Sequence, residues 1–289
     1  MAAQLSKSLR IDLKGRDMTI TDTIAPEAPT APAGLSRAAA AKPEVLAEAI
    51  ASLGVETHWC WAWDNYKRVV RDLSRRLEAR RLIEIGGGRD PLFNLAELDD
   101  LGAELTLNDI DPAELAYLPK GYPTACFDVV GDLSSVGHLR NSFDLAFSRM
   151  VFEHVADGRR AWANLYQLLA PGGVALAFIP TLYAPPFVVN WLLPHKLGAA
   201  IVKTLRPERR GEEDPVFPPV YSWCFALESR MRPMLSTIGY REIAVLPFYG
   251  HGYYKYVPMV RDVHEWFAGV VRRRDWRALA SFAYIIVRK

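Results

Sequence analysis

The stretch LIEIGGGRDP at residues 82–91 joins a short apolar run to three consecutive glycines. The apolar run is typical of a buried strand, and a helix is predicted to begin after Pro91, since proline is well tolerated in a first helical turn. Gly86, Gly87 and Gly88 allow a sharp backbone turn and let a ligand approach without a Cβ clash. The helix N-terminus adds oriented N–H groups. The stretch predicts a strand, a glycine turn and a helix, and the turn is either a ligand site or an ordinary loop.

Apolar runs alternate with helical segments from this stretch to the end of the chain. After residues 82–85, strands are predicted at residues 104–109, 125–130, 143–148, 174–180, 241–248 and 281–289. Helices are predicted from Asp111-Pro112 to Leu118, over residues 157–169 before the break Pro171-Gly172-Gly173, and over residues 223–238. This alternation with apolar strands predicts an α/β fold, in which helices cover both faces of a parallel sheet.

The part of the chain before residue 81 divides into two regions. Residues 1–42 are rich in proline and alanine and have few large apolar residues, which predicts a disordered tail. Residues 43–80 predict an N-terminal helical cap, with one helix over residues 43–53 and a second that Asp64 caps. The cluster HWCWAW at residues 58–63 is interpreted as a packing surface for the second helix, with a lid over a ligand pocket as the alternative.

The composition excludes several classes of protein. The chain has 289 residues, of which 24% are charged and 50% hydrophobic, and its net charge is +2. These values exclude a wholly disordered chain and show no basic excess, so no nucleic-acid partner is expected. Cys60, Cys126 and Cys224 are isolated and form neither a disulfide framework nor a metal-type spacing. We therefore expect no metal site. No apolar run reaches the ~18 residues of a membrane span, and MAAQLSKSLR has no apolar core, so we expect a cytoplasmic protein.

Two acidic positions follow predicted strands. Asp109 ends the second strand, 21 residues after Gly88, where an acid can accept hydrogen bonds from both hydroxyls of a ribose. Asp111 is better explained as a helix cap before Pro112. Asp132 lies just past the third strand, where its carboxylate can accept from the amine of a base while the adjacent N–H donates to a ring nitrogen. Taken singly, each acid is also consistent with an ordinary turn.

These signals fall in the order and spacing of a known family. The segments LIEIGGGRD, LTLNDIDP, VVGDL, NSFDLAFSRMVFEHV and LLAPGGVALAFIP cover residues 82–180, and on them the chain resembles a class I S-adenosylmethionine-dependent methyltransferase. The resemblance implies a doubly wound, mostly parallel seven-stranded Rossmann-like sheet whose last strand, SFAYIIVRK, is antiparallel. It assigns residues 81–289 to a methyltransferase domain with insertions at residues 182–221 and 250–280. It also implies S-adenosylmethionine as the cofactor.

The resemblance implies roles for residues around the adenosine. Asp109 holds the ribose hydroxyls, and Ile110 covers the face of the adenine. Asp132 accepts from the adenine amine, while the N–H of Leu133 meets a ring nitrogen.

The resemblance also implies roles around the methionyl group. Glu84 orients the glycine loop and reaches the ammonium group, directly or through water. Gly86, Gly87 and Gly88 pass the methionyl portion with bare backbone. Ser148 and Arg149 close over the carboxylate and the sulfonium.

One position departs from the family pattern, because Asp90 replaces the third glycine of its Gly-x-Gly-x-Gly motif. Asp90 is interpreted as an N-cap of the next helix. A nicotinamide-dependent oxidoreductase is the alternative enzyme class, but its Gly-x-Gly-x-x-Gly motif requires glycine where this chain has Pro91. A methyltransferase-like module that binds without turnover is a second alternative.

The acceptor is constrained less than the cofactor. His154, in FEHV after the fourth strand, is the candidate general base, because an imidazole pKa of about 6.5 suits proton removal near neutrality; a role in orienting a loop is the alternative. The expected acceptor is a small molecule or a glycan or lipid-linked compound that offers an O, N or C nucleophile. The basic and apolar residues 182–210 also predict a peripheral membrane contact, with a two-piece lid as the favoured alternative.

Overall fold

Seven strands of the computed structural model form one mixed sheet. The strands are β1 (Arg81–Ile85), β2 (Glu104–Asp109), β3 (Thr124–Cys126), β4 (Phe143–Arg149), β5 (Leu169–Pro180), β6 (Glu242–Phe248) and β7 (Phe282–Arg288). Their order across the sheet is β3-β2-β1-β4-β5-β7-β6. Neighbouring strands pair in parallel except at β7, which is antiparallel to both β5 and β6. The predicted α/β fold, doubly wound with an antiparallel last strand, is confirmed.

The structure describes residues 44–184, 188, 219–255 and 258–289. The described helices are α1 (Glu44–Ala51), α2 (Trp59–Arg76), α3 (Leu95–Leu101), α4 (Pro112–Ala116), α5 (Gly158–Leu168), α6 (Glu228–Ile238) and α7 (Pro258–Arg273). The predicted tail over residues 1–42, the predicted membrane contact and most of the insertion at residues 182–221 lie outside the described residues. Within the described ranges, no helix combines the length and the apolar character needed to cross a bilayer.

Helix α2 begins five residues earlier than predicted. The side chain of His58, and not that of Asp64, caps the helix by accepting a hydrogen bond from the N–H of Cys60. The expected cap was wrong because an unprotonated imidazole nitrogen can serve as the acceptor that serine or aspartate supplies at most helix starts.

The tryptophans of this early start pack on the sheet. Trp61 stacks on Phe248 with ring centroids 6.0 Å apart. Trp63 meets Phe178 and Phe282 edge to face, at 5.0 and 5.8 Å. The interpretation of the aromatic cluster as a packing surface is confirmed for these two side chains.

Helix α3 begins four residues after Pro91, later than predicted. Asn94 accepts a hydrogen bond from the N–H of Glu97, and the Glu97 carboxylate accepts one from the N–H of Asn94. This reciprocal capping box satisfies two donors that a helix start otherwise leaves unpaired. The interpretation of Asp90 as the N-cap is therefore wrong.

Three other boundaries differ from the predictions. Strand β5 runs through the predicted break at Pro171-Gly172-Gly173, with an irregular register against β4. Strand β3 ends early, because Asp128 forms a tight turn by accepting from the N–H of Val130. Helix α6 starts late, because Tyr221 and Trp223 have φ values of 55° and 59°, which a right-handed helix does not contain.

The strand order fixes where a ligand site can lie. The chain leaves β3 at one edge and returns to the sheet beside β1 as β4, so the order reverses between β1 and β4. In open α/β sheets, ligands bind at the carboxyl ends of the strands at such a switch point. In the pairing of β1 with β4, Ser148 is the partner of Ile85, and Ile85 directly precedes the glycine turn. The two predicted segments therefore lie side by side at the switch point.

Candidate active site

The glycine turn after β1 is closely packed. Gly86 and Gly88 have φ values of 68° and 50°, in the left-handed region that glycine tolerates best. A Cβ atom on Gly86 would lie 2.6 Å from Cγ2 of Val151, and one on Gly88 would lie 3.3 Å from Oδ2 of Asp109. The turn thus lies against the ends of both β2 and β4, and it presents bare backbone there.

Asp109 lies at the end of β2 beside this turn. Its Oδ1 accepts a hydrogen bond of 2.9 Å from the N–H of Asp111, which fixes the carboxylate while Oδ2 faces Gly88. The prediction that Asp111 caps the next helix is confirmed, because its side chain accepts from the N–H of Ala113. Ile110 is 58% exposed, so an apolar face is available next to the carboxylate.

Asp132 lies six residues beyond the end of β3. Hydrogen bonds from the hydroxyl and the N–H of Ser134 hold the pKa of Asp132 below its ordinary value, so the side chain is ionised at neutral pH. Leu133 is buried. Asn164 of α5 donates hydrogen bonds of 2.8 and 2.9 Å to two carbonyl groups of the preceding turn, which ties this loop to the sheet.

Glu84 is buried near the end of β1. Its Oε2 accepts a hydrogen bond of 2.9 Å from the N–H of Leu92, so the carboxyl group spans the glycine turn. Burial raises its pKa to about 7, against the opposing influence of that hydrogen bond and of the Arg149 charge. Glu84 is therefore close to half ionised at neutral pH, and a nearby cation would favour the charged form.

The end of β4 contributes Ser148 and Arg149. The Ser148 hydroxyl oxygen is buried and has no hydrogen-bond partner among the described residues. Its carbonyl oxygen accepts a hydrogen bond of 2.8 Å from the hydroxyl of Tyr66 on α2. The guanidinium of Arg149 lies 5.9 Å from the centre of the Tyr66 ring. No local pattern marks Tyr66 as part of the site, because Tyr66 lies 82 residues before its partner and fits a helical core position.

The turn after β4 carries His154. The His154 side chain is about one-third exposed. The backbone N–H of His154 donates to the carbonyl of Val151, whose side chain faces the glycine turn. The Nε2 atom of His154 lies 3.8 Å from Oε1 of Glu153. Glu153 is buried, and burial raises its pKa to about 8, so its carboxyl group is mostly protonated at neutral pH. The sequence FEHV indicated a role for its histidine alone, so this acid was not predicted as part of the site.

An ion pair that the sequence did not predict borders the glycine turn. Arg89 forms a bidentate ion pair with Glu114, with N–O distances of 2.7 and 2.5 Å. A Cβ atom on Gly88 would lie 3.5 Å from Oε2 of Glu114. The sequence signal for this contact was an acidic residue, Glu114, in the first turn of α4, the helix that follows Asp109. In the described ranges, no three metal-ligating side chains come together.

Residues 83–177, from β1 to β5, match the model of a family described as a methyltransferase domain. This segment contains all the cofactor residues predicted above and His154. The chain therefore contains a methyltransferase domain over this segment.

One curated protein similar to this chain is the biotin biosynthesis bifunctional protein BioHC of Cellvibrio japonicus (strain Ueda107). The two are 33% identical over 110 residues, which are 38% of this chain and 21% of that protein. The similarity thus spans about a fifth of the length of the curated relative.

Solved structures with a similar fold include a SAM-dependent methyltransferase from Archaeoglobus fulgidus. It is 15% identical, with 80% of this chain and all of that chain covered and a TM-score of 0.45. Another is phosphoethanolamine N-methyltransferase 2 of Haemonchus contortus, in complex with phosphomonomethylethanolamine and S-adenosylhomocysteine. It is 14% identical, with 84% of this chain and 57% of that chain covered and a TM-score of 0.48.

Proposed function

We propose that this methyltransferase transfers the methyl group of S-adenosylmethionine to an O, N or C nucleophile of a small-molecule, glycan or lipid-linked acceptor. One observation carries the proposal: the bare backbone of Gly88 lies against Oδ2 of Asp109 at the switch point of the sheet. A carboxylate held beside unobstructed backbone suits a ligand that carries a ribose diol next to a flexible chain.

The adenosine would be held by four residues on the β2–β3 side. Asp109 accepts from the ribose hydroxyls through the oxygen that Asp111 does not engage. Ile110 supplies an exposed apolar surface for the adenine face. Asp132, ionised at neutral pH, accepts from the exocyclic amine, and the N–H of Leu133 donates to a ring nitrogen.

The methionyl group would lie along the β1–β4 side. The glycine turn gives it room, and the buried Ser148 hydroxyl supplies a hydrogen-bonding group without a partner in the described structure. Arg149 provides a positive charge for the carboxylate. Glu84 orients the turn through the N–H of Leu92, and its raised pKa makes its charge sensitive to an ammonium group nearby.

The reaction requires alignment more than side-chain chemistry. Bound S-adenosylmethionine supplies an electrophilic sulfonium methyl group. The chain then has to hold the acceptor in line with it, and positioning of this kind can account for much of a rate acceleration. His154, in the turn that contacts the glycine turn, is proposed as the base for an acceptor whose nucleophile carries a proton.

Calorimetric titration with S-adenosylmethionine, S-adenosylhomocysteine and NAD tests the cofactor side. We expect binding of both adenosyl ligands and no binding of NAD. Affinity for NAD and for neither adenosyl ligand would overturn the proposed function.

The base is tested with an acceptor found by transfer of a radiolabelled methyl group into fractionated cell extract. His154→Gln should lower kcat by about 100-fold or more near pH 7 without changing the affinity for S-adenosylmethionine. An unchanged kcat and pH profile would reduce His154 to a positioning role.

A further inference from the structure

A cavity of about 490 Å³ lies at the carboxyl end of β6. Its walls come from the start of α2, from the GHGYYK loop at residues 250–255 and from helix α7. Strand β6 runs in the same direction as β5, because β7 is antiparallel to both. The cavity therefore opens at the same edge of the sheet as the glycine turn and Ser148, three strands away from β4.

The walls of the cavity are tied together by backbone contacts. The N–H of Trp59 donates to the carbonyl of Tyr249 at 3.1 Å, and the N–H of Tyr249 donates to the carbonyl of Thr57 at 2.8 Å. The loop lies flat on the indole, since Cβ atoms on Gly250 and Gly252 would each come within 2.9 Å of the Trp59 ring. The start of α2 and the loop after β6 thus form one connected wall.

Two imidazoles of this wall present N–H donors. The Nδ1 atom of His58 accepts from the N–H of Cys60, and Nδ1 of His251 accepts from the N–H of Tyr253, both at 3.3 Å. Because Nδ1 accepts in each case, the neutral ring carries its proton on Nε2. Both histidines line the cavity with a donor on that nitrogen.

The imidazoles of His58 and His264 favour the neutral state in the absence of an anion. The rings of His251 and His264 have centroids 3.8 Å apart, too close for both to be charged without a counter-ion. Burial lowers the pKa of His264, and burial together with the charge of Arg272 lowers that of His58. The Nε2 atom of His264 is buried without a hydrogen-bond partner among the described residues.

The charged groups in the lining are mostly cationic. Lys255, Arg261 and Arg272 line the cavity, against the single carboxylate of Glu265 among the described lining residues. Arg261 also pairs with Asp262 at 2.8 Å, which compensates part of its charge. Guanidinium, ammonium and imidazole donors together favour the oxygen atoms of an anion.

We propose that this cavity binds an anionic oxygen group, a phosphate or a carboxylate, carried by the methyl acceptor. The inference rests on the proposed function and narrows its substrate class. Helix α2 links the two places, since Trp59 lines the cavity and Tyr66 contacts Ser148. Seven residues of helix separate Trp59 from Tyr66 and span about 10 Å.

Histidine NMR with inorganic phosphate and, separately, acetate tests the proposal on the full chain. The anion should shift the ring signals of His58 and His264 and raise their pKa, because it stabilises the protonated imidazole. The arm with the tighter binding identifies phosphate or carboxylate as the preferred group. Ring signals that neither anion shifts would overturn the proposal.

Matched variants on α7 separate specific binding from general charge. Arg272→Gln should weaken anion binding about tenfold, since a charge-assisted hydrogen bond contributes about 1.5 kcal/mol or more. Arg273→Gln removes the same charge one residue outside the lining and should leave binding unchanged. Equal losses in the two variants would contradict a built site.

Titration of S-adenosylmethionine into the same samples distinguishes failure of this proposal from failure of the proposed function. Normal cofactor affinity with no anion binding overturns the cavity proposal alone. Anion binding by a chain without affinity for S-adenosylmethionine overturns the proposed function, and the assignment of the anion to a methyl acceptor with it.

Discussion

The two sides of the carboxyl edge differ in charge and in how they are assembled. On the β1–β2–β3 side, the carboxylate of Asp109 borders bare glycine backbone, and the carboxylate of Asp132 follows the end of β3. On the β6 side, guanidinium, ammonium and imidazole groups line the cavity. The first side is built from short segments that directly follow their strands, whereas the second combines α2, a loop and α7. A site with such opposite ends can orient a cofactor and an acceptor independently.

Asp109→Ala should have the largest effect. Loss of hydrogen bonds to both ribose hydroxyls removes about 3 kcal/mol, so the affinity for S-adenosylmethionine should fall about 100-fold in calorimetric titration. Phosphate binding at the cavity should not change.

Asp111→Ala is the matched control, because Asp111 lies in the same loop and caps α4. It should cost up to about 2 kcal/mol of stability with little change in cofactor affinity. If Asp109→Ala binds the cofactor as tightly as Asp111→Ala does, the ribose assignment is wrong.

Glu153→Gln tests the buried acid beside His154, between the two sides. Burial raises its pKa from 4.5 to about 8. Between about pH 5 and pH 8 the folded protein holds a proton that the unfolded chain has lost, so the free energy of unfolding falls as the pH rises. The variant should be more stable than the parent at about pH 8 and equal to it near pH 4.

Urea unfolding across this pH range provides the measurement. The slope that remains in Glu153→Gln is expected from Glu84, whose pKa is raised to about 7. Glu104→Gln, at an exposed carboxyl group, serves as the control and should keep the parent profile. A profile for Glu153→Gln that parallels the parent would mean that Glu153 is ionised in the folded state.

Tyr66→Phe tests the link between the sides. The variant loses the hydrogen bond to the Ser148 carbonyl, which should cost about 1 kcal/mol of stability and loosen cofactor binding a few-fold. Tyr122→Phe removes a comparable hydrogen bond, to the Phe93 carbonyl, and should affect stability alone. Thermal unfolding and calorimetry separate the outcomes, and equal cofactor affinities in both variants would argue against Tyr66 as a support of the site.

Gly252→Ala should have the smallest effect, confined to the cavity side. The added Cβ atom would lie 2.9 Å from the Trp59 ring, so the loop must shift by a few tenths of an ångström. We expect a few-fold weaker phosphate binding by NMR and an unchanged affinity for S-adenosylmethionine. Gly137→Ala, where a Cβ atom meets open space, should change neither.

The fold and the juxtaposition of the glycine turn with Asp109 were predictable because their signals are local. A strand, a glycine turn and an acid at the end of the next strand each occupy a few consecutive residues, as at Gly86–Gly88 and Asp109. The start of α3 was also readable, since Asn94 and Glu97 have the spacing of a capping box. Helix α3 begins later than Pro91 predicts, because Asn94 and Glu97 cap it.

The rest of the site depends on contacts between distant segments. Tyr66 reaches Ser148 across 82 residues, and the cavity joins His58 to His264. The raised pKa of Glu153 results from burial, which its neighbours in sequence do not determine. No local pattern encodes these contacts, so they required the tertiary structure.

The packing of α2 on the last strand has a consequence for biosynthesis. The hydroxyl of Tyr284 donates to the carbonyl of Ala62, 222 residues earlier, and Phe282 of β7 receives the edge of Trp63. A growing chain therefore carries the aromatic face of α2 without its β7 partners until β7 leaves the ribosome. Long-range contacts of this kind form slowly and leave apolar surface open to aggregation. Nascent chains that stop before β7 are accordingly expected to need chaperones, even when all the strands of the cofactor side have been synthesised.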